Sequence, residues 1–313
     1  MKLSVIICAH NPRLDFITRV LQALEAQSLS RDQWELLLVD NASKSALADK
    51  IDLAWHPHAR HLREEKVGLT HARIGGFTAF RGDWAVLVDD DNILDAAYLQ
   101  TLSDKISAHP FLGTIGGTIA GEFTGPVSPL AGTYLNWLAV RELRADLWSN
   151  LPWASASHPY GAGLAARRDV VRQYLSMVRS DPLRLRLDRI GNRLWGGGDA
   201  DINYTATFMG LGCGVFKDLR LTHIMPPERL KEAYLLRLVE DMTCSSLVLH
   251  WLWGREITLP SRSQRIYDWY RNRFISRQER RFCQAKGRGL QAAHAFVSSL
   301  AMEERTWSRP RFD

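Results

Sequence analysis

The chain has 313 residues, 46% apolar and 24% charged, so it can bury a full core as one large domain or two. Its formal net charge of +6 favours anionic contacts such as phosphate esters, nucleic acid or anionic lipid. Cys8, Cys213, Cys244 and Cys283 lie far apart with no CxxC pair, which speaks against a disulfide framework or a zinc site and suggests a reducing, cytoplasmic compartment.

In "MKLSVIICAHNP" the apolar run is too short for a signal peptide and reads as a buried first strand over residues 5–8. Asn11 can cap, and Pro12 can open, a helix whose Leu14, Ile17, Leu21 and Leu24 share one face. "WELLLVD" is a second strand ending in Asp40, with the turn-forming "NAS" behind it, and "RHLRE" a third. "GLTHARIGGFTAF" reads as a small-residue helix, "DWAVLVD" as the next strand and "DAAYLQTLSDKISAH" as a helix. The Gly- and Pro-rich "GTIGGTIAGEFTGPVSPLAG" follows without an assigned element. Residues 122–157, with Trp137, Trp148 and Trp153, read as an insertion near a site. "PYGAGLAARRDVVRQYL" passes from a glycine-rich strand into a helix. "WGGGDADINYTATFMGLG" places acids at a helix start and Gly210 and Gly212 at its end. "DLRLTHIMPPERL" is a last strand and turn, after which the chain is helical and increasingly basic. No apolar window reaches eighteen residues, so no membrane-spanning helix is expected.

Strands alternating with helices imply crossovers and a mostly parallel sheet covered on both faces, with ligands at the carboxyl ends of the strands. Asn11, Asp40 and the run Asp89, Asp90, Asp91 fall at those ends. Adjacent carboxylates repel, so three in a row call for a reason. A solvated turn with an Asx cap is one, and a divalent cation that holds an anionic substrate is the other. These acids are expected to be exposed, so that Asp91→Ala would spare the fold.

The ordered segments "SVIICAHN", "LLLVDNAS", "GLTHARIGGFTAFRGDWAVLVDDDN", "GAGLAARRDV", "GGGDADI" and "LTHIMPP" resemble family 2 glycosyltransferases with the GT-A fold, over roughly residues 3–230. Two positions depart from that pattern: Ile74, where the family usually carries Asn, and Gly198, where it often carries Glu. The resemblance implies an inverting transfer of a sugar from a nucleotide-diphosphate sugar to a hydroxyl acceptor, saccharide or lipid-linked, in polysaccharide, glycolipid or glycoconjugate synthesis. It also implies Mg²⁺ or Mn²⁺ at a D-x-D motif, Asp89 to Asp91, with Asp91 the more usual ligand. His223 would complete metal or diphosphate contacts, against the plain reading of a structural strand-end histidine. Asn11, Asp40, Arg73, Asp89 and Asp90 would bind the donor, against the plain readings of a cap, an Asx turn and a surface ion pair. Asp199 would be the general base, with Asp201 about 200° further round the helix at roughly 100° per residue.

The expected division is a catalytic domain over 1–228, with a nucleotide-binding half over 1–120 and an acceptor half over 121–228, then a basic helical region over 229–313. Within that region, residues 262–288 interleave arginines with Tyr267, Trp269, Tyr270, Phe274 and Phe282. A solvated or core-packing helix is the first reading and peripheral contact with an anionic membrane, at its inner face, the second; no specific nucleic acid is expected. Two other functions compete. A nucleotidyltransferase would need a Gly-rich, Arg/Lys-bearing loop after the first strand, which "CAHNPRLD" lacks. A non-catalytic sugar-nucleotide or nucleic-acid binding module would not need the acids at 89, 91 and 199.

Overall fold

The computed structural model describes residues 2–301 and residue 310; the rest of the basic region expected over 229–313 lies outside the described residues. In chain order the elements are β1 (Leu3–Ala9), α1 (Leu14–Glu25), β2 (Trp34–Asn41), β3 (Ala59–Glu64), α2 (Leu69–Ala79), β4 (Trp84–Asp89), β5 (Asn92–Leu94) and α3 (Tyr98–Ala108). They continue with β6 (Leu112–Phe123), α4 (Pro129–Thr133), β7 (Leu147–Ser149), β8 (Ala165–Arg167), α5 (Arg168–Ser180), α6 (Gly198–Phe208) and β9 (Gly212–Met225). Three helices follow among the described residues: α7 (Glu232–Leu252), α8 (Arg262–Arg271) and α9 (Arg277–Ala301).

One sheet runs β3-β2-β1-β4-β8-β6-β9-β5, with β7 on β9. β3, β2, β1 and β4 pair in parallel, as do β6 and β9, while the short β5, β7 and β8 run against them. Apolar residues alternate between two cores. Val5, Ile7, Leu36 and Leu38 face α1 and α3, whereas Ile6, Leu37, Val39 and Leu87 face α2, α5 and α6. A strand apolar on both faces is what a doubly covered parallel sheet demands.

Three local expectations fail. Leu14 is 49% exposed, and α1 buries Phe16 and Val20 instead, together with Ile17, Leu21 and Leu24. Asn11 does not cap that helix: it sits at φ 47°, and Arg13 precedes the first turn without a side-chain cap. The glycine-rich stretch after α3 holds a twelve-residue strand, β6. Its glycines mark close approach of neighbours, because a Cβ at Gly117 would overlap the Leu219 carbonyl and one at Gly116 would press on Pro159.

The C-terminal helices share their cores with the preceding segments. Leu183, Leu187 and Trp195 pack with Val248, Leu249 and Trp251 of α7, and Leu138 and Met225 pack with Leu238 of α7 and Phe282 of α9. Among the described residues no helix is long and apolar enough to cross a membrane.

Two glycines of α9 test this packing. A Cβ at Gly287 would meet nothing, whereas one at Gly289 would overlap the Glu240 carbonyl of α7. Gly287→Ala is expected to stabilise by about 0.5–1 kcal/mol. Gly289→Ala is expected to destabilise by about 1–3 kcal/mol. Urea titration gives both signs, and a gain at both positions would show that α7 and α9 do not approach so closely.

Candidate active site

Strand register decides which acids meet. Cys8 lies opposite Asp89 and Val39, and Ala9 opposite Asp40. Paired residues of neighbouring strands share a face and successive ones alternate. Cys8, Asp89 and Asn41 therefore turn toward α2 and α6, while Asp40 turns to the opposite face. Beyond these strand ends lies a cavity of about 520 Å³. Its lining includes the charged and polar Arg73, Asp89, Asp90, Asp199, His223 and Arg229 and the apolar Trp137, Leu138, Trp195, Leu238 and Met242.

Asp91 is buried at 6% exposure, contrary to the expectation of exposed acids. The pairing of β5 with β9 sets Asn92 opposite His223, which brings the histidine to the acid. Asp91 Oδ1 stands 3.4 Å from His223 Nε2 and Oδ2 3.2 Å from Arg229 Nη1. Burial pushes the Asp91 carboxyl up, but His223 and Arg229 outweigh it and hold the group at about 2. Asp91→Ala would thus leave the buried His223 and the half-buried Arg229 without their carboxylate partner, and it is not the harmless change anticipated. Asp90 is driven the other way, up to about 7, by burial and then by Asp91 and Asp89. Asp89 is also raised, by burial first and by Asp91 next.

Arg73 is buried, not on the surface, and its Nη1 donates to Asp188 Oδ2 at 2.9 Å. The same oxygen accepts from Thr70 Oγ1 at 3.0 Å, and Oδ1 accepts from the Gly198 N–H at 3.0 Å. Burial alone would weaken the Arg73 guanidinium's hold on its proton, but Asp188, Asp89 and Asp199 reverse that and hold it charged. The glycine at 198 now has a reason: a side chain there would overlap the Asp188 carboxylate.

Asp199 opens α6 on the cavity wall. Its Oδ2 accepts from the Gly161 N–H at 2.8 Å and its Oδ1 from the Ala200 N–H at 2.8 Å. Burial raises its pKa; Arg73 opposes this, and Asp188 adds to it. Asp201, two residues on, is fully buried away from the cavity, paired with Arg184 and accepting from Trp253 Nε1 at 2.7 Å.

Asp40 and Asn11 are not on the cavity wall. Asp40 accepts from the Ser43 and Leu47 N–H groups, each at 3.0 Å, and from Arg63 Nη1 at 2.7 Å. Asn11 Oδ1 accepts from the Lys44 N–H at 2.9 Å. Both organise the turn after β2. Asn41, Asp188, Arg189 and Arg229 line the cavity without having been singled out. For Asn41 the alternation along "LLLVDN" is the signal that finds it.

Among the described residues no group of three or more His, Cys, Asp and Glu side chains is arranged to hold a metal ion. Asp91 Oδ1 and His223 Nε2, 3.4 Å apart on the cavity lining, are the pair of donors that would fit one, with Arg229 Nη1 3.3 Å from the same nitrogen. Two protein ligands suit Mg²⁺ or Mn²⁺, which keep open positions for water and phosphate oxygens.

Residues 4–175 match the profile of glycosyl transferase family 2. A glucosyl-dolichyl phosphate glucuronosyltransferase of Haloferax volcanii is 21% identical over 174 residues, which is 54% of each chain. The chain thus spans about half the length of that curated relative. The S. aureus TarS 1–349 structure superposes at a TM-score of 0.51 with 13% identity, covering 98% of this chain and 93% of that one. The mannosyltransferase PcManGT of Pyrobaculum calidifontis, solved with GDP-Man and Mn²⁺, superposes at 0.54 with 20% identity, covering 97% and 76%. The fold shared with these structures is GT-A.

The contrast between the two acids of α6 can be measured. Asp201→Ala removes the partner of Arg184, which is 1% exposed, and should cost about 3–5 kcal/mol of stability. Denaturant titration should show that loss. A variant as stable as the parent would mean that the Arg184 pair does not hold the base of α6.

Proposed function

The chain belongs to glycosyl transferase family 2, and from that premise we propose an inverting, cation-assisted sugar transfer from a nucleotide-diphosphate sugar to a hydroxyl acceptor. The observation that carries this reading is the cavity itself, which Asp199 and the Asp91–His223 pair line together. Family membership also decides against the nucleotidyltransferase and the non-catalytic module.

Asp199 acts as general base. Its carboxylate takes the acceptor hydroxyl proton, and the freed oxygen attacks the anomeric carbon opposite the diphosphate, whose bond to the sugar breaks in the same displacement. Hydrogen bonds from Gly161 and Ala200 fix the carboxylate's orientation without neutralising it. Arg73 stands beside it, and a Cβ at Gly161 would lie 3.0 Å from Arg73 Nη2 and 3.5 Å from Asp199 Oδ2. Glycine is the residue that leaves room for a substrate at that pinch.

Asp91 and His223 would hold Mg²⁺ or Mn²⁺, which would offset the charge on the departing diphosphate. Arg229 and Arg189 add positive charge on the same side of the cavity. Asp89 and Asp90 accept hydrogen bonds from donor hydroxyls. Arg73 closes the donor pocket from beneath, and Asn11 and Asp40 serve it indirectly through the turn they hold. Trp137, Trp195, Leu238 and Met242 offer an apolar surface to the acceptor, which suits the face of a saccharide or the first carbons of a lipid carrier. The lipid-linked substrate in the name of the archaeal relative is consistent with that surface.

Two measurements test the reading. Asp199→Asn should lower turnover by about 10²–10⁴ while calorimetric donor affinity stays close to the parent value. The base must be unprotonated, so kcat/KM should be lost as pH falls through a pKa above the ordinary value of about 3.9. An unshifted acid limb, or a mild Asp199→Asn variant, would place the base elsewhere. Across a panel of nucleotide sugars with Mn²⁺, one donor class should raise Tm, and chelation should abolish the rise. Asp91→Asn, which keeps the volume, should lose the Mn²⁺-dependent part; retention of it would remove Asp91 from the cation site.

A further inference from the structure

The sugar-transfer chemistry leaves one surface unexplained. α8 buries none of its residues. Ile266, Tyr267, Trp269 and Tyr270 are 56–61% exposed, and Phe274 just beyond the helix is 72% exposed. At roughly 100° per residue the four helical side chains occupy one arc about 160° wide. Gln264 and Asp268 fall on the opposite side, where they bond to each other at 3.2 Å, and Asp268 is the less exposed of the helix's residues. A helix resting on a protein core turns its apolar arc inward. Here that arc points to solvent.

The charges around it select the occupant. Between residues 262 and 281 there are seven arginines against Asp268 and Glu279. Arg262, Arg265, Arg271, Arg273 and Arg277 are exposed. Arg273 lies over the Trp269 ring at 3.8 Å, and Tyr270 and Phe274 meet edge to face at 4.9 Å. A second copy of the same face would bring arginines against arginines. A lipid surface presents the required order: phosphates outermost for the guanidiniums, and an acyl boundary beneath for Trp, Tyr, Phe and Ile.

We propose that α8 and the turn to Phe274 form an interfacial anchor that docks the protein on anionic bilayers. The helix lies in the headgroup plane, with Trp269, Tyr270 and Phe274 inserted and Arg262, Arg265 and Arg273 on lipid phosphates. This anchor is independent of which sugar or acceptor the cavity takes.

Sedimentation of the full chain with phosphatidylcholine vesicles, with and without phosphatidylglycerol, tests it. Binding should be strong only with phosphatidylglycerol and should weaken as salt rises. Trp269→Ser with Phe274→Ser, and separately Arg265→Gln with Arg273→Gln, should each lower the partition coefficient about tenfold or more. None of these residues touches a core or the cavity, so donor binding in solution should match the parent. Equal partition on both vesicle types, or unchanged partition of either double variant, overturns the proposal. So does concentration-dependent self-association in sedimentation velocity that Trp269→Ser with Phe274→Ser abolishes, since the occupant would then be a second copy.

Discussion

Most of the cavity rests on one buried guanidinium. Arg73 is held inside the protein, where a charge survives only if it is paired and hydrogen-bonded. Asp188 supplies the pair, and through the same carboxylate it binds Thr70 of α2 and the first N–H of α6. The cation in turn tempers the field of Asp89 and Asp199, which would otherwise crowd negative charge into a poorly hydrated space. Remove that pairing and the start of α6, the acid it carries and the end of β4 lose their common reference point.

A second charge centre repeats the logic on the other side of β4. Asp91 sits between His223 and Arg229, brought there by the pairing of β5 with β9 and by the turn after β9. Its ionised form is stabilised before any substrate arrives. Its neighbour Asp90 is pushed the opposite way, so the three consecutive acids do not act as one block of charge. Such separation of neighbouring carboxylates by environment is a recurrent way to give them different tasks.

The sheet, its helices and the acids at its rim were legible because apolar runs and strand-end breaks are local signals. β6 was not, since "LGTIGGTIAGEF" is strand-forming only through neighbours that press on its glycines. The alternation of "LLLVDN" sets Asp40 and Asn41 on opposite faces of one rim, and Asn41 lines the cavity. Asp188 and Arg229 carry no motif. They matter because a long connection and a turn return them to residues more than a hundred positions earlier, which one sequence alone does not report. Gly198 read as a departure from a pattern until the carboxylate that fills its space came into view.

Part of the cavity's apolar lining comes from a different element than its acids. Leu238 and Met242 project from α7, and α7 is clasped by α9 through a glycine-tight contact, whereas Asp89, Asp91 and Asp199 stand on the sheet and on α6. Resizing Leu238 or Met242 would thus change the cavity's volume from positions that carry none of those acids. On the proposed reading, such positions would let selectivity drift while the reacting groups stay fixed, which makes α7 the place to look when two relatives share chemistry and differ in what they glycosylate.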